Sequence, residues 1–341
     1  QLLETVRVYA AAKLVEAGEH EQTAERVIEA ILQWITDSWT QAVRNDWTYW
    51  RCYRAQLPDV RRAAETLVDA GRFQDLALLL GTSVNGSGDS AWDEERLRLL
   101  LWIDRDHLHE LDRSVQADLV GSLTLAQMNA GADTEWIERS TSAWLEYSSL
   151  PIMNKLALFA SQMTLLTLFD PHEGIREVDE ALGGLGDSEA EQAWRQFAWY
   201  FESMCVACLG DFESAAELAQ RSMVPEDSEL RDFALTTWLW FSHVAGSAVD
   251  ADVVDLARSA DPRDGYWRQS VGIAAALHAG DEEAVARELV SVADRGWNGL
   301  LVGEEAEYLT AFARLAHLRN DPARALELLA SSTARSPWNV A

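Results

Sequence analysis

The chain has 341 residues, of which 48% are hydrophobic, and its 56 acidic and 28 basic residues give it a net charge of −28. An acidic chain repels phosphate backbones, so we expect no direct nucleic-acid binding by this segment. No apolar run reaches the ~20 residues that a membrane-spanning helix needs, and the N-terminus does not have the pattern of a signal peptide, so we expect no membrane association.

Apolar residues recur with helical spacing along the chain, and no alternating β-pattern is present. Three helices are predicted before the first loop: residues 1–17, ended by Gly18; His20 to about Asn45; and about Asp46 to Gly71, interrupted near Pro58. The Gly- and Ser-rich stretch 81–90 predicts a flexible loop. This loop separates a predicted N-terminal helical bundle, residues 1–80, from a more regular array, residues 91–341.

Short turn signatures recur at intervals of a few tens of residues. At Gly210-Asp211, glycine can end one helix in the left-handed conformation and aspartate can cap the next. Comparable junctions are Gly71-Arg72, Gly131-Ala132, Asp170-Pro171, Gly246-Ser247, Gly280-Asp281 and Asn320-Asp321. The last four steps are 34 to 40 residues long. This period predicts an all-α fold without a sheet, an α-solenoid of about 16 or more helices in antiparallel pairs.

Sequence patterns of the common catalytic sites are absent. Lys13 and Lys155 are the only lysines and neither follows a glycine, so the chain has no Walker phosphate-binding loop. A tryptophan-rich, all-α enzyme of the terpene-cyclase type is the remote alternative, but such enzymes need clustered aspartates and no Asp-Asp pair occurs. The nearest cluster, Asp250, Asp252 and Asp255, lies at a junction where helix capping explains it. We therefore expect a chain that is not an enzyme and holds no cofactor or metal.

Two short motifs resemble metal or redox sites. Cys205 and Cys208 have the spacing of half a zinc site or a redox pair, but no second pair is present, and we predict packed core thiols. The third thiol makes an odd number, which favours a reducing cytoplasm over a disulfide framework. His107 and His109 lie two residues apart, on different faces of a helix, and are predicted to be surface residues.

Residues 2–10 (LLETVRVYA) and 14–19 (LVEAGE) resemble the end of a winged-helix module in bacterial STAND-class P-loop ATPases, which include antibiotic-biosynthesis regulators and large LuxR-type activators. Residues 56–63 (QLPDVRRA) resemble the start of the tetratricopeptide (TPR) array that follows in these proteins. The Gly210 unit is similar to the TPR pattern, with Trp199 before the turn and Ala215 and Pro225 after it. The resemblance implies a sensor or arm domain of a longer regulator, whose ATPase and DNA-binding modules lie outside this segment.

In TPR arrays the first helix of each unit lines the concave surface, and counting back from the junctions predicts the residues on that face. The predicted groove consists of Phe197, Tyr200, Met204, Trp240, His243, Trp267, His278, Arg314 and His317. The three histidines could stack along one groove, and exposed helix-end histidines are the alternative. Of the 15 tryptophans, Trp136, Trp144, Trp194 and Trp199 are predicted to wedge between helices, while others could line the groove.

Two functional hypotheses follow. The first is a non-enzymatic sensor domain of a bacterial transcription regulator, in which a protein partner or small-molecule effector binds the concave groove. Binding would shift the population of superhelical states and so release or restrain the attached ATPase. The second is a TPR scaffold that binds a partner protein and has no small-molecule effector. A pocket enclosed by aromatic residues would favour the first hypothesis, and an open groove with charged rims the second.

Overall fold

The computed structural model describes residues 4–38, 47–81, 90–129, 135–224, 228–258, 266–287, 313, 316–317 and 319–335. Within these ranges every regular element is a helix, which confirms the predicted all-α class. The α-helices are α1 (Glu4–Glu16), α2 (His20–Asp37), α3 (Trp47–Asp69), α4 (Phe73–Gly81), α5 (Ser90–Asp106), α6 (Arg113–Asn129), α7 (Glu135–Glu146), α8 (Leu156–Phe169), α9 (Pro171–Gly183), α10 (Glu189–Cys208), α11 (Phe212–Ser222), α12 (Glu229–Ala245), α13 (Ala251–Arg258), α14 (Tyr266–His278) and α15 (Pro322–Arg335). Two short 3-10 helices, Leu108–Glu110 and Ile152–Asn154, and a helical stretch at 282–287 complete the described elements.

The predicted turn chemistry is present at the junctions. Five predicted junctions contain a residue with a left-handed backbone: Gly71 (φ 65°), Gly210 (φ 89°), Gly246 (φ 71°), Gly280 (φ 68°) and Asn320 (φ 59°). After Gly210, the Asp211 carboxylate accepts a hydrogen bond from the backbone N–H of Ser214 at 3.1 Å and so caps α11. At the preceding junction Asp170 caps α9 in the same way. The Gly131 junction and the loop predicted at 82–89 lie outside the described residues.

The predicted interruption at Pro58 is wrong, because α3 runs unbroken from Trp47 to Asp69. A proline inside a helix removes one backbone donor and crowds the carbonyl one turn earlier. Pro58 lies on the exposed side of α3, where water can satisfy the carbonyl that loses its partner. Leu57 and Val60, on the other side, are buried in the core and hold the helix together across the proline.

The second helix is shorter than predicted. It ends at Asp37 rather than near Asn45, and Ser38 forms its C-cap. The buried face of α2 consists of Ile28, Ile31 and Ile35, so the apolar stripe that packs the helix stops at its last turn. Residues 39–46 lie outside the described ranges.

The helices pack in a regular order along the chain. Every extensive contact among the described α-helices joins helices that are consecutive or separated by one helix. Each even-numbered helix from α2 to α12 contacts the next even-numbered helix. Near the C-terminal ends of α8 and α10, Thr167 Oγ1 and Cys205 Sγ lie 3.3 Å apart, so these two helices run in the same direction. The rings of Phe212, at the start of α11, and Phe241, near the end of α12, are 6.0 Å apart, as antiparallel neighbours require.

The hydrophobic core consists of clusters that follow one another along this row of helices. The first cluster contains residues from both sides of the predicted loop, such as Leu79 and Trp92. A second surrounds Phe159 and Trp194, between α8 and α10. Two of the tryptophans predicted to wedge between helices, Trp136 and Trp194, are buried, which confirms that prediction for them. The other two, Trp144 and Trp199, are half-buried.

Candidate functional site

A row of aromatic rings connects three even-numbered helices, and we call it the aromatic row: Phe159 on α8, Phe197, Tyr200 and Phe201 on α10, and Phe233 on α12. Ring centroids lie 6.5 Å apart between Phe159 and Phe197, and 5.1 Å between Phe197 and Phe201. From there the contacts continue through Tyr200, 5.3 Å from Phe201 and 5.7 Å from Phe233. Edge-to-face and tilted pairs at these distances are attractive. The row passes from the buried Phe159 to half-exposed rings on α10 and α12.

The structure places most of the predicted groove residues on even-numbered helices with part of the side chain exposed. Those that are half-exposed are Phe197, Tyr200, Met204, Trp240, His243 and His278, and His317 is exposed. Phe197 and Tyr200 are brought together through Phe201, which the prediction had omitted. Trp240 packs against the cluster that contains Leu239 and Val271 and is separate from the aromatic row. The side chain of Trp267 and residue Arg314 lie outside the described residues.

The three predicted histidines lie at the ends of helices but do not occupy equivalent positions. The carbonyl oxygens of His243 and His317 accept hydrogen bonds from the junction residues Gly246 and Asn320. At the Gly280 junction the corresponding acceptor is Leu277, so His278 lies one residue further along. One residue turns the side chain by about 100° around the helix. His243 and His317 are therefore equivalent in register, and His278 faces another direction.

Burial affects His278 itself. Its Nδ1 atom is enclosed and has no hydrogen-bond partner among the described residues. Burial lowers the pKa of the His278 imidazole, because removing water disfavours the charged form. Burial therefore favours the neutral ring over the charged form that would pair with an acidic ligand.

A buried carboxyl group lies where α6 crosses the start of α8. Asp118 accepts a hydrogen bond from the backbone N–H of Ala157, in the first turn of α8. Its Oδ1 atom is enclosed and has no partner among the described residues, and the same holds for Ser122 Oγ one turn further along α6. Burial raises the pKa of Asp118 to about 7, against the opposing effect of the Ala157 hydrogen bond. Sequence reasoning missed this residue, although an aspartate within an apolar helix is a usable signal.

The Lys155 side chain lies at the C-terminal end of α7. Its Nζ donates to the carbonyl oxygens of Tyr147 at 3.4 Å and Ser148 at 3.3 Å, and lies 4.3 Å from the centre of the Trp144 ring. Burial lowers the pKa of this ammonium group, and the nearby Glu177 opposes that shift. Burial raises the pKa of Glu177 in turn. The cation satisfies two carbonyls just beyond the C-terminal end of α7 and lies over an indole ring, so its position has a structural explanation.

The predicted surface position of His107 is wrong. The residue lies at the end of α5, where its ring stacks on Phe73 with centroids 3.6 Å apart and meets Trp102 edge-on at 4.9 Å. Its Nδ1 lies 2.8 Å from a carboxylate oxygen of Glu110. The reason is that α5 ends at Asp106 and a 3-10 helix follows, so the spacing rule for one continuous α-helix does not apply. His109 is exposed, as predicted.

The two neighbouring thiols differ in environment. Cys205 is buried and contacts Thr167, which confirms the prediction of a packed thiol there. Cys208 is exposed, so the same prediction is wrong for it. Cys208 is the last residue of α10, directly before the C-cap residue Leu209.

Comparison with known proteins gives no match: no family model, curated protein or solved structure matches the chain. Within the described ranges, no group of three or more His, Cys, Asp or Glu side chains could hold a metal ion. None of the helices in those ranges is both long enough and apolar enough to cross a bilayer. The aromatic row on the even-numbered helices is the feature of the described residues that points to a binding role.

Proposed function

We propose that the chain is an α-solenoid of TPR-like two-helix units. Among the described α-helices, extensive contacts join only helices that are consecutive or separated by one helix, as expected when every repeat packs only on its neighbours. Turns with a left-handed residue recur at Gly210, Gly246, Gly280 and Asn320, 34 to 40 residues apart. In this arrangement the even-numbered helices from α6 to α14 are the first helices of the units and form the inner layer.

We further propose that this inner layer is a binding surface and that the chain is not an enzyme. The observation that carries the proposal is the aromatic row, which continues from α8 through α10 to α12. Half-exposed rings such as Tyr200 and Phe233 offer broad apolar contact at low cost in side-chain entropy. An apolar effector or an apolar peptide segment fits this chemistry.

The resemblance of residues 1–18 and of the Gly210 unit to STAND-class regulators supports a role as the sensor arm of a transcription regulator. Ligand binding across α8, α10 and α12 would favour one curvature of the stack, because the three helices move relative to one another when the solenoid bends. A ligand that binds one curvature more tightly shifts the conformational equilibrium of an attached ATPase. The size of the shift is set by the difference between the ligand's affinities for the two curvatures. The gene sequence upstream of Gln1 tests the family: a Gly-x-x-x-x-Gly-Lys-Ser/Thr motif is expected there.

Site-specific photocrosslinking in the native host tests the binding surface. A benzophenone amino acid replaces Met204, which is half-exposed on α10, and for comparison Glu217, which is exposed on α11. We expect the Met204 position to capture one discrete species and the Glu217 position to capture none. A small gain in mass would identify an effector, and a protein adduct would identify the scaffold alternative. Equal capture at both positions, or none at Met204, would contradict the proposed surface.

A further inference from the structure

The turns that follow the even-numbered helices lie along one edge of the stack. Thr167 and Cys205 meet at the C-terminal ends of α8 and α10, and Gly174, at the start of α9, also packs on Cys205. Phe212, at the start of α11, and Phe241, near the end of α12, meet at this same edge. We call the residues of these turns the turn edge; they are residues 169–174, 208–214, 243–252 and 278–284.

Three successive turns of the turn edge each expose one large apolar side chain. Phe169, Leu209 and Val244 are 68%, 42% and 53% exposed, and each lies at the end of an even-numbered helix. Neighbouring helices pack with axes about 8–10 Å apart, so the ends of α8, α10 and α12 follow one another along this edge at roughly that spacing. A single exposed apolar residue needs no explanation, whereas three on successive turns of one edge are the kind of surface that a partner covers.

The same four turns are strongly acidic. They contain no Lys or Arg, and their carboxylates are Asp170, Glu173, Asp211, Glu213, Asp250, Asp252, Asp281, Glu282 and Glu283. Asp170, Asp211 and Asp281 cap the following helices, which explains those three. Glu213, Asp252 and Glu283 are exposed in the first turns of the helices that follow, where the helix dipole favours them, and they accept no capping bond among those described. Two nearby cations reduce the charge only locally: Arg176 pairs with Glu173, and Arg319 lies 4.0 Å from Glu282.

We propose that the turn edge docks a basic amphipathic helix of a partner protein, whose apolar residues cover Phe169, Leu209 and Val244 and whose Arg or Lys residues face the carboxylates. The negative charge of the turn edge favours a basic partner. It repels nucleic acids, anionic lipid surfaces and a second copy of this chain, whose net charge is −28. A helix with an apolar residue every seven positions presents anchors about 10 Å apart, which matches the spacing of the turns. The surface is distinct from the aromatic row and does not depend on the function proposed for it.

A designed peptide tests the proposal directly. The probe is a fluorescent synthetic helix with leucine at every seventh position and arginines flanking each leucine, titrated with the whole chain by fluorescence anisotropy. Two comparison peptides replace all leucines by serine or all arginines by glutamate. We expect saturable binding of the first peptide that weakens as salt is added, and at least tenfold weaker binding of both comparison peptides.

Matched variants locate the surface. Leu209→Ser should weaken peptide binding about fivefold or more, as truncations of central interface residues do. Leu145→Ser is its control, because Leu145 is 69% exposed but lies near the end of α7, at the opposite edge of the stack.

A second pair of variants tests the carboxylates. The salt dependence of peptide binding should fall in the triple variant Glu213→Gln, Asp252→Asn, Glu283→Gln. It should stay unchanged in the control triple variant Glu138→Gln, Glu180→Gln, Glu217→Gln. All of these side chains are exposed, so their replacement should leave thermal unfolding nearly unchanged.

Three outcomes would overturn the proposal. The first is no saturable binding of the leucine–arginine peptide. The second is equal binding of the serine peptide, which would show simple attraction between opposite charges. The third is equal weakening by Leu209→Ser and Leu145→Ser, which would place the binding elsewhere. None of these outcomes affects the crosslinking test of the aromatic row.

Discussion

Gly121 of α6 lies directly against the backbone of Leu158 in α8. A Cβ atom at position 121 would stand 2.2 Å from the Leu158 backbone nitrogen and 2.4 Å from the Ala157 carbonyl carbon. The missing side chain therefore permits the close approach of these two helices. The same approach buries Asp118, one turn earlier on α6, against the first turn of α8.

Replacing Gly121 by alanine should destabilise the protein strongly. The new methyl group meets backbone atoms, which cannot turn aside as a flexible side chain can, so α6 and α8 must separate. We expect a loss of about 3 kcal/mol in the free energy of unfolding, at the upper end of the usual cost of overpacking. Urea unfolding followed by circular dichroism measures it.

The matched control is Gly272→Ala in α14. A Cβ there meets no atom of the described residues within 4 Å, and the position is inside a helix. Alanine is the better helix former, so this variant should gain about 0.5–1 kcal/mol. Equal effects of the two substitutions would show that α6 and α8 can separate without cost.

The turns could be predicted from sequence because their chemistry is local. A left-handed Gly210 followed by a capping Asp211 depends on four or five neighbouring residues, and the structure has both features. Counting back from such turns placed Tyr200 and Trp240 on helices that end at these turns, and the structure shows both residues there, partly exposed. The contact that joins Tyr200 to Phe233 could not be predicted, because the relative register of two helices depends on how whole repeats pack.

The failed predictions concern residues whose surroundings come from distant parts of the chain. Pro58 stays inside a helix because buried residues on the opposite side hold α3 in place. His107 is stacked because α4 brings Phe73 against it, 34 positions away in sequence. Asp118 is buried because Gly121 admits α8 so closely. Local patterns contain no information about such neighbours.

Asp118 should make stability depend on pH. The pKa of its folded-state carboxyl is about 7, against an ordinary value of 3.8. The stability that the neutral Asp118 carboxyl contributes is therefore fully present below its pKa in the unfolded chain. It is lost as the pH rises through about 7, because the carboxyl ionises at lower pH in the unfolded chain than in the folded protein. Asp118→Asn removes this loss and keeps an oxygen that can accept the Ala157 N–H. The variant should match the wild type near pH 4 and be about 1–3 kcal/mol more stable near pH 8.

Unfolding free energies measured across this pH range for both proteins test that expectation. A difference between Asp118→Asn and the wild type that does not change with pH would mean that the carboxyl titrates normally. A variant less stable than the wild type at pH 8 would mean that the charged form is stabilised in the fold. Ser122→Ala serves as the control, because it removes the neighbouring enclosed hydroxyl without removing a titrating group.

The three thiols should react with a disulfide reagent at different rates. Cys52 and Cys208 are exposed, whereas Cys205 is buried and its pKa is raised to about 11 by burial, so little thiolate forms. We expect two thiols to be modified in the native protein and the third only after unfolding. Mass spectrometry of the modified peptides, with Cys208→Ser as a comparison, assigns them. Rapid modification of Cys205 in the native protein would show that α8 and α10 separate readily.

The contact between Tyr200 and Phe233 should couple successive inner helices. Their rings lie 5.7 Å apart, one on α10 and the other on α12. Tyr200→Leu and Phe233→Leu each remove the ring pair, so in a double-mutant cycle we expect a coupling energy of about 0.5–1.5 kcal/mol. The control cycle pairs Tyr200→Leu with Phe212→Leu on α11, whose ring contacts Phe241 rather than the aromatic row, and it should give a coupling near zero. If the first cycle also gives no coupling, the register of α10 against α12 is not the one described, and the aromatic row would end at α10.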